Sequence, residues 1–255
     1  MKLIKKLLKS GFEKLGYRVQ STKYILKPFL RNVGVLALDF DHVISKYLIE
    51  KGDPNNFRFI QVGAYDGVEC DPLKKYLERY DWEGILLEPQ PKPYESLRRR
   101  YEGRERLKIV NAAVNRQPGK SMLYHLEGDD LPTWAKGLAS FSKANILKHE
   151  YLVDNLLHYL KQIEVESLTF EFLLNKFEWK GLDLLQVDAE GFDAEIIRMF
   201  PLHNIKPAII HFESKHIPIE DLELLAEKLI NSGYAIAYDR EEDMMAVLQT
   251  HFSNE

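Results

Sequence analysis

Three apolar runs that end in carboxylates or glycine constrain this chain more than any other feature. Phe59-Ile60-Gln61-Val62 runs into Gly63-Ala64-Tyr65-Asp66-Gly67. Gly84-Ile85-Leu86-Leu87 ends in Glu88-Pro89, and Leu182-Asp183-Leu184-Leu185-Gln186-Val187 ends in Asp188-Ala189-Glu190-Gly191. Each run reads as a buried strand. In open parallel sheets, ligands sit outside the carboxyl ends of the strands. The three acidic ends should therefore converge on one crevice, and a cofactor-dependent enzyme is the leading reading.

The surrounding pattern supports an α/β fold with a mostly parallel sheet. A helix is expected over about 72–80 after the first strand and another over about 93–101 after the second, and Leu107–Val110 follows as the third strand. This alternation predicts parallel strands with right-handed crossovers. It resumes with a strand at Leu184–Val187, a helix from about Asp193 to Phe200, a strand at Ala208–Phe212 and a helix from about Ile219 to Ser232. Closing strands near Tyr234–Tyr238 and Met245–Gln249 form an antiparallel hairpin on the sheet, compatible with a mixed sheet. In the middle, Met122–Leu126 reads as a strand, Glu127–Ser142 as a long loop and Lys143–Leu160 as a helix. The loop carries Trp134 and Phe141, and long loops in compact domains often act as lids. Residues 1–54 read as a helical extension, broken near Tyr17–Lys23, with a second helix from about Asn32 to Glu50. The turn cluster Gly52-Asp53-Pro54-Asn55-Asn56 marks the boundary, so the main domain is expected over 55–255.

Charge and cysteine content exclude several classes. The formal net charge is -4, which gives no global basic field for nucleic acid. Cys70 is the single cysteine, so there is no intramolecular disulfide and no Cys/His zinc pattern; this fits a reducing, cytoplasmic setting. No apolar run approaches the roughly 18 residues that a membrane span needs. The N-terminus makes a poor signal peptide. Over residues 1–15, Leu3, Ile4, Leu7, Leu8, Phe12 and Leu15 share a helical face opposite Lys2, Lys5, Lys6, Lys9 and Lys14. Such a helix can touch an anionic membrane peripherally, though packing on the domain or a partner is the simpler expectation.

The strand ends supply the candidate site. Glycines at 63 and 67 permit a sharp turn and close approach to a ligand, without the G-x-G-x-x-G of dinucleotide sites; Asp66 or Asp71 could instead cap the next helix. Glu88 stands where doubly wound folds place an acid on ribose hydroxyls. Asn111-Ala112-Ala113 is either a purine-edge contact or a turn. Asp188 and Glu190 need a cation, a shared proton or a donor ligand, unless one caps the following helix. Period-two alternation puts His211 and Glu213 on one face. His211 reads as a satisfied sheet histidine, whereas Glu213 and His216 are candidate general bases.

Taken together, these motifs resemble the FkbM-type S-adenosylmethionine-dependent methyltransferases over roughly Asp53 to Gln249. The likeness rests on Ile60–Gly67, Leu87-Glu88-Pro89, Asn111-Ala112-Ala113-Val114, Val187–Asp193 and Phe212-Glu213. Many members carry Asp where this chain has Gln61, and Asn where it has Tyr65. The resemblance implies a Rossmann-like methyltransferase fold with an antiparallel final strand, and methyl transfer to oxygen on a sugar or secondary metabolite. It implies that Gly63, Ala64, Asp66 and Gly67 cradle the methionine part of the cofactor. Glu88 would hold the ribose, and Asn111 and Ala112 would lie beside adenine. Asp188 and Glu190 would face sulfonium and acceptor, with Glu213 and His216 as co-workers. These four also offer ligands for a Mg²⁺-type ion, so a divalent metal is a possible second cofactor. The competing readings are a nicotinamide-dependent oxidoreductase, served by the same turn and Glu88, and a non-catalytic interaction domain. The acceptor, small molecule or glycan, and the oligomeric state are not legible.

Overall fold

A computed structural model describes residues 36–239 and 243–251. The expected amphipathic face over 1–15 and the break near Tyr17–Lys23 lie outside the described residues. In chain order the elements begin with β1 (Leu36–Ala37), α1 (Phe40–Lys51), β2 (Arg58–Val62), α2 (Lys74–Arg79), β3 (Glu83–Leu87), α3 (Pro91–Arg100) and β4 (Leu107–Val110). The middle holds β5 (Ala113–Val114), β6 (Gly119–Leu126), α4 (Thr133–Gly137), β7 (Ala139–Ser140), α5 (Lys143–Leu147), α6 (Leu156–Tyr159), β8 (Leu160–Leu168) and α7 (Phe170–Lys176). The last part holds β9 (Leu184–Val187), α8 (Asp193–Met199), β10 (Ile209–Glu213), α9 (Ile219–Asn231), β11 (Tyr234–Asp239) and β12 (Asp243–Leu248).

The main sheet has eight strands in the order β1-β11-β12-β10-β9-β2-β3-β4. β4, β3, β2, β9 and β10 are mutually parallel, and β12 runs antiparallel to both β10 and β11. The sheet is covered on both faces, as a mostly parallel sheet requires. Ile60, Val62, Ile85, Leu87, Leu185 and Val187 pack on one side with α7, α8 and α9. Phe59, Leu86, Leu184, Ile209 and Met245 pack on the other with α1, α2 and α3. On that second side Gln61, Gln186 and His211 sit in register on neighbouring strands. Gln61 donates to Asp71 Oδ1 at 3.0 Å. His211 pairs through Nδ1 with Gln186 Oε1 at 2.8 Å and through Nε2 with Asp239 Oδ2 at 3.2 Å. His211 is thus a satisfied sheet histidine.

Three expectations need correction. The helix read from about Asn32 starts only at Phe40, because Leu36–Ala37 pairs with β11 as a strand and Asp39 caps the helix by accepting from His42 N at 2.9 Å. That helix shares the sheet's core and is tied to it through buried Asp183, whose carboxylate accepts from Tyr47 Oη at 2.5 Å, Lys51 Nζ at 2.6 Å and Arg58 N at 2.7 Å. The helix read over Lys143–Leu160 is broken into short turns, with Asn155 in the left-handed region at φ 53. From Leu160, where that helix was expected to end, the chain runs on as a strand to Leu168, an element the sequence reading did not contain. Its inward Val165 packs with Ala113 and Leu123 while Glu164 and Glu166 face solvent. β6 and β8 pair antiparallel from Gly119↔Ser167 to Leu126↔Leu160 and, with β5 and β7, form a second sheet of four strands. The segment 127–142 is therefore a structured wall containing α4 and β7 rather than an open loop. Among the described residues, no helix is long and apolar enough to cross a membrane.

Candidate active site

Parallel β2, β3, β9 and β10 deliver Gly63, Glu88, Asp188 and Glu213 at or just past their carboxyl ends. All four line one cavity of ≈ 360 Å³, within the range of small-molecule sites. The strand ends are tightly joined: a Cβ on Gly63, whose φ is +79°, would lie 1.8 Å from the Asp188 carbonyl oxygen. Only glycine fits there.

Glu88 is buried on the β3 side of the cavity. Its Oε2 accepts from Tyr65 N at 2.9 Å and its Oε1 from Gln90 N at 2.7 Å. Burial pushes its pKa up to about 7 against those two donors, with Asp188 and Asp66 adding to the rise. A carboxylate oxygen has two acceptor sites, so each oxygen keeps one for a ligand hydroxyl. Ala112, Pro89 and Gln90 continue this wall.

The other cofactor-side expectations divide differently. From the turn after β2, Gly63 and Tyr65 line the cavity, and Tyr65 is held at φ 47. Ala64 is instead packed in the core on the α1 side. Asp66 accepts from Val68 N at 2.8 Å and Glu69 N at 3.0 Å, so it closes the turn. Gly67 lets the turn approach α3, where a Cβ would meet Leu97 Cδ1 at 2.8 Å. Asn111 is exposed and off the cavity wall. Its amide donates to the carbonyls of Glu88 at 2.8 Å and Pro89 at 3.1 Å, which fixes the end of β3. These four residues shape the site from outside the cavity.

Asp188, Glu190, Glu213 and His216 are brought together as expected, all on the cavity wall. Asp188 opens to the cavity yet lies deep among protein atoms, and burial pushes its pKa up to about 6, with Asp243 adding. Glu190 is pushed well above the usual carboxylate range by burial and then by Asp188. Glu213 is pushed up to about 10 by burial, then by Asp188 and Glu190. Its Oε2 is buried and has no hydrogen-bond partner among the described residues, while Oε1 lies 3.7 Å from His216 Nε2. Burial and mutual repulsion in such a cluster favour the neutral forms, and Lys215, also on the cavity wall, opposes this at Glu190.

Two participants were not singled out from the sequence. Asp193, at the start of α8, is fully buried and accepts from Ala189 N and Gly191 N, each at 3.1 Å. It holds Glu190 in the left-handed region at φ 50 and Gly191 at φ 86. Burial and then Asp188 push its own pKa up to about 8. Its place in Gly191-Phe192-Asp193 was the available signal. His149, just past α5, is buried with Nε2 3.2 Å from His216 Nε2 and 3.9 Å from Glu190 Oε2. Burial lowers its pKa and favours the neutral imidazole. No local pattern marked it.

The wall from 134 to 141 closes the cavity with Trp134, Leu138 and Phe141. Ser140 Oγ donates to the Glu190 carbonyl at 3.5 Å, and Phe141 meets Phe192 edge-on at 5.3 Å. The result is an apolar chamber with an acidic floor.

The sequence profile described as "Methyltransferase FkbM domain" matches residues 61–241. No curated protein matches the chain. Among solved structures, the chain is similar to methyltransferase FkbM from Methylobacillus flagellatus KT, at 13% identity and TM-score 0.45, over 76% of this chain and 44% of that one. It therefore spans less than half of that protein's length. It is also similar to the N-terminal domain of human METTL16 in complex with SAH, at 12% identity and TM-score 0.44, over 97% of this chain and 80% of that one. A third likeness is to the Methanococcus jannaschii fibrillarin pre-rRNA processing protein, at 12% identity and TM-score 0.37, over 76% of this chain and 67% of that one.

Proposed function

The chain belongs to the FkbM methyltransferase family and has a Rossmann-like methyltransferase fold, and from that premise we propose that it moves a methyl group from S-adenosylmethionine to a hydroxyl oxygen on a sugar or secondary metabolite. The observation that supports this reading best is the convergence of Glu88, Asp188, Glu190 and Glu213 on one apolar-walled cavity. Burial drives all four toward the neutral form in the free protein. A cationic guest beside them would favour their ionised forms. A dinucleotide would instead carry a diphosphate into the same acids, and the turn after β2 lacks the glycines that would cradle it.

When bound, the cofactor supplies an electrophilic methyl group on a positively charged sulfur. Glu88 accepts from the ribose hydroxyls through its two remaining acceptor sites. Gly63 and Tyr65 hold the methionine end, and Ala112 lies beside the adenine. Asp188 faces the sulfonium charge. Phe141 and Trp134 keep water from the reacting atoms and offer flat apolar surface to the acceptor. Transfer needs the acceptor oxygen in line with the breaking carbon–sulfur bond. The hydroxyl would lose its proton to a base on the acidic floor, where Asp188 and Glu213 are placed to take it, while the cofactor would keep the electron pair of the bond it gives up.

Calorimetric titration with S-adenosylhomocysteine and with NAD⁺ tests the cofactor. The reading expects binding of the first alone; binding of NAD⁺ alone would reverse it. Methyl label transferred to hydroxylated sugars or metabolites, and stable to the chemistry that hydrolyses methyl esters, then tests the oxygen assignment.

A further inference from the structure

The acceptor half of the cavity contains a donor set that the mechanism above leaves unused. One ring nitrogen each from His149 and His216 and a Glu190 carboxylate oxygen all lie within 4.8 Å of one another. The two imidazole nitrogens are 3.2 Å apart, and His149 Nε2 is 3.9 Å from Glu190 Oε2. Tetrahedral ligands at about 2.0–2.1 Å from an ion lie about 3.3–3.4 Å from each other, so only small movements would close this set around one. From it we infer a binding site for a divalent transition-metal ion, held by His149, Glu190 and His216.

The surroundings support a built site. His149 is 95% withdrawn from solvent, being 5% exposed, and its ring is aimed at His216 from a different part of the chain. Lys148 Nζ donates to the His216 carbonyl at 3.0 Å and fixes that backbone. Glu190 is held in its left-handed conformation by Asp193 through the flanking amides. Backbone strain of this kind persists where the surroundings enforce it. Gly191 permits the approach, since a Cβ there would lie 2.9 Å from Asn145 Nδ2 and 3.2 Å from His216 Cβ.

The donor chemistry selects the ion. Mg²⁺ prefers oxygen ligands and retains water, whereas two imidazoles and one carboxylate suit Zn²⁺ and its neighbours. The Mg²⁺-type set of Asp188, Glu190, Glu213 and His216 is thereby replaced: Asp188 and Glu213 stay outside, and His149 enters. All three ligands line the cavity, so a fourth position faces the acceptor. There the ion would bind and polarise the acceptor hydroxyl, a role that rests on the methyl-transfer reading; the binding itself does not.

The test is a Co²⁺ titration of chelator-stripped full-length protein, followed by visible absorption. The inference expects one equivalent of tetrahedral Co²⁺, displaced by Zn²⁺ and undisturbed by a large excess of Mg²⁺. His149→Ala and His216→Ala should each weaken Co²⁺ binding by at least about 100-fold, a loss larger than removing an outer support usually causes. S-adenosylhomocysteine calorimetry on the same samples reports folding and the cofactor separately. Absence of a saturable Co²⁺ band in wild-type protein that binds S-adenosylhomocysteine would overturn the ion site and leave the methyl-transfer reading intact. Equal Co²⁺ affinity in folded His149→Ala would overturn it too. Co²⁺ binding without S-adenosylhomocysteine binding would keep the ion site and count against the cofactor.

Discussion

Glu88→Gln separates the ribose contact from the structural work that the same side chain does. The carboxylate accepts from Tyr65 N at 2.9 Å and Gln90 N at 2.7 Å, so alanine would leave two backbone donors stranded and confuse folding with binding. Glutamine keeps one oxygen for one of those donors. It gives up the other acceptor and the negative charge. Losing one buried acceptor costs about 1–2 kcal/mol of stability, or about 2–8 °C in melting temperature for a domain of this size. Hydrogen bonds to an ionised group contribute about 1.5–3 kcal/mol. The variant should therefore bind S-adenosylhomocysteine about 10- to 150-fold more weakly at pH 8. Because burial raises the pKa to about 7, the ionised form that accepts best from the ribose is complete only above that pH. The wild-type advantage should be full near pH 8 and shrink as pH falls below 7, while the variant stays flat through this window. Isothermal titration at several pH values reads both effects. Equal affinity of the two proteins at pH 8, with the variant folded, would refute the ribose assignment.

Asp193→Asn should loosen the Glu190 turn and lower stability by about 1–3 kcal/mol, the scale for an unmade buried hydrogen bond, with turnover falling further than the melting temperature explains; an unchanged rate would detach Asp193 from the site. In the free protein, burial raises the Asp193 pKa from 3.8 to about 8, so the native state holds more protons than the unfolded chain across that range, and this contribution to stability is lost as pH rises through 8. Thermal melts should show that slope in wild-type and a shallower one in Asp193→Asn. Gly63→Ala should cost at least about 2 kcal/mol and abolish cofactor binding, since the added methyl meets the Asp188 carbonyl in a strained backbone; a normal melt would show the strand ends to be further apart. Asp183→Ala should destabilise by about 3–5 kcal/mol in chemical unfolding, because Lys51 and Tyr47 lose a buried partner; a loss under 1 kcal/mol would mean that α1 is only loosely attached.

The parallel strands were legible because each is a short, mostly apolar run, and β2, β3, β9 and β10 end in a glycine or an acid. Doubly buried strands carry no other pattern. The acidic floor was legible for the same reason, since a carboxylate that follows a buried strand points at the crevice. The second sheet was not. Gln162-Ile163-Glu164-Val165-Glu166 alternates with period two, but only Ile163 and Val165 carry the apolar set and no glycine or proline marks its ends, and it follows a segment read as one helix that breaks before the Leu156–Tyr159 turn. Asn155 in the left-handed region separates the two, and Asn is a weak breaker in sequence. Ala64, Asp66, Gly67 and Asn111 show a different limit. They lie in the turns after β2 and β4, but what a residue meets after a turn depends on tertiary packing: Gly67 lies against α3, and the Asn111 amide is taken by the Glu88 and Pro89 carbonyls. His149 reaches the site from 67 positions before His216, a distance over which spacing carries no information.

The most direct measurement of the central claim is a crystal structure with S-adenosylhomocysteine bound. The account predicts density in the cavity, with the ribose hydroxyls on the Glu88 carboxylate, the adenine against Ala112 and the sulfur turned toward Asp188. Density in another cleft, or in this cavity with the ribose directed away from Glu88, would contradict it.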